Sequence, residues 1–425
     1  MKFIHINSGI SHETISKKQG ELADYIKNLK QIVRDRDYSK NEASLCLVDD
    51  FSMLNDVKKI VERKKSKNLK YIINIGIGGS YLGTKALYDS VYGSFDLFQT
   101  ERYPKIIFLD TTDVEYINHF ISFFKKENPA PGEMVINIIS KSGGTTETAT
   151  NGEMVLLLFK DTFKNWQEYV VVTTDKNSPL WNRAISLGID VLEIQKNVGG
   201  RYSVFSAVGL FPLALCGFDI EGIMKSATAM RDRCLKDENN GARESAIILF
   251  EHSGRGIAIN DNFYFHMELE SLGKWYRQLM GESTGKSGKG LTPTVSIGSV
   301  DLHSVVQLYL GGPKNKYTSF IYTNTFDECG LPKTNLLTHI QGIEGRSVGD
   351  IMGAIQQGTI KAYEKTNLPY SEIILESVCV EEIAAYMQFK MIEMMFLGKL
   401  MNINAFDQPQ VELYKIETKK ILAEK

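Results

Sequence analysis

The chain has little with which to build extracellular or metal chemistry. Its 425 residues include five cysteines, Cys46, Cys216, Cys234, Cys329 and Cys379, odd in number, far apart and without a CxxC pair. That argues against a disulfide framework and for reduced thiols in a cytoplasm. The seven histidines are scattered, with no HxH or HExxH, so no metal is expected. An excess of one charge sign is missing too: 49 basic against 51 acidic residues leave a net charge of -2. No global field then recruits nucleic acid or an anionic membrane, and any anion must be held locally. No hydrophobic run approaches a membrane span, and the start, MKFIHINSGI, lacks the continuous apolar core of a secretion signal. A soluble cytoplasmic protein is expected.

What is present suits a globular α/β protein. The apolar content is 43%, and the length suggests roughly two to three domains. Residues 1 to about 40 are polar, with a helix expected over Gln19 to Val33 and no legible chemistry. From Tyr71 strands and helices alternate: YIINIGIGG, a helix over Leu82 to Tyr92, KIIFLD, a helix over Val114 to Phe124, and MVINIIS. The alternation continues through Glu147 to Phe159, YVVVTTD and DVLEIQ. It predicts a mainly parallel, doubly wound sheet with sites at the carboxyl ends of its strands. After a helical stretch over Ile220 to Cys234 a second alternation begins, with GIAIN (Gly256 to Asn260), TPTVSIG, YTSFIYTN and SEIILES as strands. Two α/β domains are expected, over 46–215 and 216–425, with residues 1–45 as a helical arm packing on the second.

Two glycine-rich stretches imitate nucleotide sites and lack their spacing. Asn74-Ile75-Gly76-Ile77-Gly78-Gly79-Ser80-Tyr81 has no third glycine where a dinucleotide fingerprint needs one, and no acid about 20 residues on at a second strand's end. What remains is a turn in which Gly78 and Gly79 allow close backbone approach while Ser80 offers a hydroxyl, or one in which the glycines are purely structural. Gly281-Glu282-Ser283-Thr284-Gly285-Lys286-Ser287 has three residues between its glycines where a P-loop has four, and Phe265, Leu269, Leu272, Tyr276 and Leu279 make the approach helical. Glu282 is left as a carboxylate at a helix end, with Gln278 one turn earlier on the same face. The alternative is a solvated surface glutamate.

The strongest local signal is Ser140-Lys141-Ser142-Gly143-Gly144-Thr145, between an apolar strand and a helix start. Free backbone N–H groups, the positive end of the helix dipole and three hydroxyls make an oxyanion cradle whose natural occupant is phosphate. The plain alternative is that Thr145 merely caps the helix. Arg201, in VGGRYS after DVLEIQ, projects from a sheet's carboxyl edge and suits an anionic oxygen, or a surface ion pair. Gln408 and Lys415 in FDQPQVELYK stand seven residues apart, about two helical turns. His303 begins a helix after TPTVSIG, where a cap or packing role is the ordinary one.

Together these stretches resemble the phosphoglucose isomerase family. SKSGGTTET is similar to its phosphate loop and fits the wider sugar-isomerase (SIS) pattern S-x-S-G-x-T; GIGGSYLG, VGGRYS, GEST, DLHS and FDQPQVELYK each resemble a family block, in family order, over roughly Tyr71 to Lys415. Gln410 departs from the glycine or alanine common there, and the chain is compact like the bacterial members. The resemblance implies two SIS domains, no cofactor, and reversible isomerisation of glucose 6-phosphate and fructose 6-phosphate through a cis-enediolate. It implies that Gly79 binds substrate and that Ser80, Ser140, Lys141, Ser142 and Thr145 hold its 6-phosphate. Arg201 and Gln278 would lie at the reacting end, Glu282 would be the base, and His303 and Lys415 would serve ring opening with Gln408 nearby. It further implies a homodimer that lends His303 across the interface. The chemistry asks for such a set, since one carboxylate can carry the proton between C2 and C1 while a fixed cation stabilises the enediolate. A non-catalytic sugar-phosphate sensor would keep the cradle without needing Glu282, Arg201 and His303 together; a dual phosphoglucose/phosphomannose isomerase would also turn over mannose 6-phosphate.

Overall fold

The computed structural model describes residues 1–236, 238–324, 329–333 and 340–424. Within them, in chain order, run strands β1 (Lys2–Ile4), β2 (Tyr71–Ile75), β3 (Lys105–Leu109), β4 (Met134–Ile139), β5 (Val170–Asp175), β6 (Asp190–Ile194), β7 (Ile259–Tyr264), β8 (Thr292–Ile297), β9 (Lys316–Thr323) and β10 (Tyr370–Leu375). They form two sheets flanked by helices.

The first sheet is wholly parallel, in the order β3-β2-β4-β5-β6. β2 and β4 are buried along their whole length, which is why they read as unbroken apolar runs. Their two polar exceptions pair across the sheet: Asn137 Nδ2 donates to Asn74 Oδ1 at 2.9 Å, and Thr173 Oγ1 donates to Asn137 Oδ1 at 3.0 Å. A slip in register would strand these buried amides, so the pairs fix the alignment of β2, β4 and β5. From β2 the chain crosses to one side and from β4 to the other. The crevice between the carboxyl ends of β2 and β4 is therefore the switch point, the place where doubly wound sheets take their ligands.

The second sheet runs β1-β10-β9-β7-β8, parallel except for the edge strand β1. The sequence pattern puts a strand at Gly256 to Asn260, whereas β7 runs Ile259–Tyr264. Its polar triplet Asn260, Asp261 and Asn262 is fully buried. Asp261 Oδ1 is satisfied from distant elements, accepting from Thr294 at 2.6 Å, Ser296 at 3.0 Å and Tyr309 at 3.0 Å, while burial pushes the carboxyl pKa up. Instead of one helix over Gln19 to Val33, the N-terminal region supplies β1 and the helices His12–Gln19 and Ala23–Asp35.

A long helix, Val380–Leu400, is buried on nearly every side. It packs on the helices Ile220–Cys234, Gly241–Gly254 and Glu270–Thr284 and reaches Leu82–Tyr92 beside the first sheet. Its Lys390–Glu393 pair, 2.9 Å apart, is enclosed by hydrogen bonds from Ser245 and Tyr276. The helix thus sets where the following segment, residues 401–410, begins. No described helix is long and apolar enough to cross a membrane.

Candidate active site

The glycine turn after β2 lies beside the hydroxyl turn after β4. A β-carbon on Gly76 would stand 3.1 Å from the Ile139 carbonyl oxygen, the last residue before Ser140. Gly79 packs backbone to backbone on a third loop: its β-carbon would fall 2.1 Å from the Gly200 carbonyl carbon and 2.6 Å from the Arg201 nitrogen. No side chain fits there, and Arg201 is held against the turn for that reason. Gly78 has φ +60°, and a β-carbon on it would meet Gln278 Nε2 at 2.8 Å. The turn therefore touches both Arg201 and the helix Glu270–Thr284.

Arg201 is 1% exposed, and its fork is fully engaged. Nε donates to Ser283 Oγ at 2.9 Å; Nη1 donates to Glu282 Oε2 at 3.0 Å and Gln408 Oε1 at 2.8 Å; Nη2 donates to the Ala405 and Asp407 carbonyls at 2.6 and 3.1 Å. Of the two expectations for Arg201, the surface ion pair does not hold: the guanidinium is an interior junction joining the loop after β6, the helix end at Glu282 and the segment 401–410. Glu282 receives its second bond from Gln278 Nε2, 3.0 Å from Oε1. Its carboxylate is oriented at both oxygens and still 28% exposed, so a ligand can reach it.

Two neighbours of this junction carry no expectation from sequence. Ser283 bridges Arg201 to the Tyr202 hydroxyl, 3.0 Å away. Lys286, the lysine of the P-loop imitation, folds back to donate to the Glu282 and Ser283 carbonyls at 2.7 and 3.1 Å, with Asp407 Oδ1 at 3.5 Å. It caps the helix that bears Glu282 and ties it to the segment anchoring Arg201. Burial, then the charge of Arg201, lowers its pKa. A hydroxyl directly after Glu282 and a lysine one turn beyond it were the available signals.

The cradle itself is Ser140 to Thr145, ahead of the helix Thr146–Thr162. Thr145 occupies the cap position without a side-chain capping bond; its Oγ1 accepts instead from Ser140 Oγ at 3.4 Å. Ser142 Oγ accepts from Gly144 N at 3.3 Å, and Gly143 makes the turn at φ +73°. Lys141 is half-buried; burial lowers its pKa, partly opposed by Asp175. Ser80 closes the short turn Gly78–Ser80, and a β-carbon on Gly76 would touch both Ser80 and Ile139, the residue before this loop. The structure thus brings together Gly79, Arg201, Gln278, Glu282 and Gln408, with Ser80, Ser140, Lys141, Ser142 and Thr145 on the adjoining turns. Two expected residues share no hydrogen bond with this group among the described residues. Lys415 lies on the helix Val411–Ala423 and pairs with Glu412 at 2.7 Å, and His303 is exposed at the end of the turn Val300–His303.

A doubly wound fold with ligand-facing turns at its switch point is the architecture of SIS-type proteins. Comparison with known proteins narrows the class. Residues 52–307 match the family model for phosphoglucose isomerase. A probable glucose-6-phosphate isomerase of Methanococcus maripaludis is 31% identical over 415 residues, covering 96% of this chain and 90% of the relative. Among solved structures, a hypothetical protein of Thermus thermophilus superposes with a TM-score of 0.88 at 27% identity, covering 99% of both chains. A glucose-6-phosphate isomerase of Chlamydia trachomatis shares the fold at TM-score 0.81 and 19% identity, covering 99% of this chain and 88% of its own. The chain belongs to the phosphoglucose isomerase family.

Proposed function

We propose that Glu282 is the base with which this chain, an aldose-ketose isomerase acting on glucose 6-phosphate and fructose 6-phosphate, moves a proton between C2 and C1. One observation carries the reading: a reachable carboxylate, held at one oxygen by Gln278 and at the other by the buried guanidinium of Arg201. A carboxylate so fixed can take the proton from one carbon and return it to the next, while the permanent charge of Arg201 stabilises the enediolate formed between the two transfers. Among the described residues Gln278 Oε1 is a buried acceptor without a protein donor, suited to a sugar hydroxyl. The 6-phosphate is assigned to Ser80, Ser140, Lys141, Ser142, Thr145 and the backbone at Gly79.

Ring opening needs a group that passes a proton to or from the ring oxygen. His303 suits that step, with Lys415 orienting the same hydroxyls. His303 is exposed and outside the junction, so in this reading it enters the site of a second copy, and the working form is a cytoplasmic homodimer. The step is part of glycolysis and gluconeogenesis.

The test is proton exchange. Incubated with fructose 6-phosphate in heavy water, the wild type introduces deuterium at the reacting carbons and forms glucose 6-phosphate in a coupled assay. Glu282→Gln keeps shape and hydrogen bonding, retains substrate binding and loses kcat by roughly 10²- to 10⁴-fold. Exchange by the Gln variant at the wild-type rate refutes the assignment, and no exchange by either form leaves a sugar-phosphate sensor. Turnover of mannose 6-phosphate marks a dual isomerase.

A further inference from the structure

The helix Val411–Ala423 buries none of its residues, yet one side chain on it reaches the phosphate cradle. Lys419 Nζ stands 4.0 Å from the position a β-carbon on Gly144 would take. Gly144 is the last residue of the cradle before Thr145, and its lack of a side chain leaves the space above the loop open to that ammonium. The other described lysines of this helix are committed to acids, Lys415 to Glu412 and Lys420 to Glu417, each at 2.7 Å. Among the described residues Lys419 has no hydrogen bond or ion pair.

We propose that Lys419 is a further substrate-binding residue, closing the cradle from the far end of the chain with a charge placed on the 6-phosphate. The inference rests on the assignment of Ser140 to Thr145 as the phosphate site. A sugar phosphate carries close to two negative charges at neutral pH. The loop meets them with backbone N–H groups, hydroxyls and one half-buried lysine, Lys141, whose charged form burial disfavours. A second, solvent-side cation completes the neutralisation without paying a desolvation cost of its own. Lys415 precedes Lys419 by one helical turn on the same face, so the cation at the phosphate and the lysine assigned to ring opening share one rigid element.

The experiment compares wild type, Lys419→Ala, Lys419→Glu and, as a control one residue away, Lys420→Ala. Steady-state isomerisation of fructose 6-phosphate gives KM and kcat, and calorimetric titration with inorganic phosphate gives Kd without reference to turnover. Lys419→Ala is expected to raise KM and the phosphate Kd together, by roughly 3- to 10-fold at low salt, with kcat within about twofold. Lys419→Glu shifts both further, Lys420→Ala leaves both at wild-type values, and adding salt narrows the differences. A Lys419→Ala protein with wild-type KM and phosphate Kd overturns the inference and leaves the isomerase reading intact. A wild type that neither binds phosphate nor turns over fructose 6-phosphate overturns both.

Discussion

Replacing Arg201 by lysine keeps the positive charge and removes the fork. In the native structure five N–H donors meet five acceptors: Ser283 Oγ, Glu282 Oε2, Gln408 Oε1 and the carbonyls of Ala405 and Asp407. An ammonium has three donors on a point, so at least two acceptors lose their partner. Ser283 retains the Tyr202 hydroxyl, and Gln408 is only half-buried and can turn to water. The uncompensated loss falls mainly on the backbone carbonyls, with an unpaired buried acceptor costing about 1 to 3 kcal/mol. A destabilisation of about 2 to 3 kcal/mol, spread over an unfolding entropy near 2 cal/mol/K per residue, lowers Tm by only about 3 °C in a chain of 425 residues.

The kinetic effect should be much larger than that small shift suggests. Glu282 is oriented by one bond from Arg201 and one from Gln278, so lysine loosens the base and withdraws the planar donor from the enediolate together. Loss of a preorganised donor of this kind costs roughly 10²- to 10³-fold in kcat. KM should change little, because the phosphate is held on other turns. Measured well below Tm, with folding confirmed by circular dichroism, kcat separates the two effects. A variant with wild-type kcat, or one whose loss lies entirely in KM, refutes the argument that Arg201 organises the reacting end.

Thr145→Ala should raise KM roughly 10- to 100-fold with kcat nearly unchanged, because the phosphate is bound alike in ground and transition states; a fall in kcat at constant KM contradicts it. Gly79→Ala would force its β-carbon to within 2.1 Å of the Gly200 carbonyl carbon, so expression trials and thermal melts should show a destabilisation of at least about 2 kcal/mol and a loss of activity. Lys286→Met uncaps the Glu282 helix and should lower kcat by roughly tenfold at unchanged KM, checked in the same coupled assay. His252 is buried, donates from Nε2 to the Ser8 carbonyl at 2.7 Å, and has its pKa held below 6.5 by desolvation. The unfolded chain then takes up a proton that the folded one refuses, so stability is full above about pH 6.5 and falls as the pH drops below it; urea midpoints for wild type and His252→Gln should show the variant's acid-side slope to be shallower.

What is local is legible in the sequence. The ladder of strands in the first sheet and the helices Leu82–Tyr92 and Ile220–Cys234 follow from short-range pattern, because buried parallel strands must be apolar and their helices amphipathic. What depends on partners far along the chain is not legible there. β7 carries three consecutive polar residues that look like a loop, and only Thr294, Ser296 and Tyr309 make Asp261 tolerable in a buried strand. β1 is three residues long, too short for any periodicity, and it is defined by pairing with β10. At the site, side chains in recognisable blocks were legible, whereas the carbonyls of Ala405 and Asp407 were not, since a backbone acceptor leaves no mark in the sequence. Lys286 was visible only as part of a failed nucleotide motif.

The two ends of the proposed substrate are held by different kinds of structure, and this has a consequence for how the enzyme tolerates change. The cradle from Ser140 to Thr145 is a single turn whose hydroxyls and backbone are placed by β4 and the helix that follows. The reacting end has no such local scaffold. Gly79 against Gly200, Arg201 against Ser283 and Glu282, and Lys286 against Asp407 are contacts between segments about 80 to 120 residues apart, closed by the segment that the buried helix Val380–Leu400 delivers. A packing defect in that helix, such as one introduced at Met391 or Met394, therefore displaces Ala405 to Gln408 before it disturbs the cradle. Damage far from the chemistry should appear first as a fall in kcat, with phosphate affinity losing no more than the share Lys419 supplies until the first sheet itself unfolds.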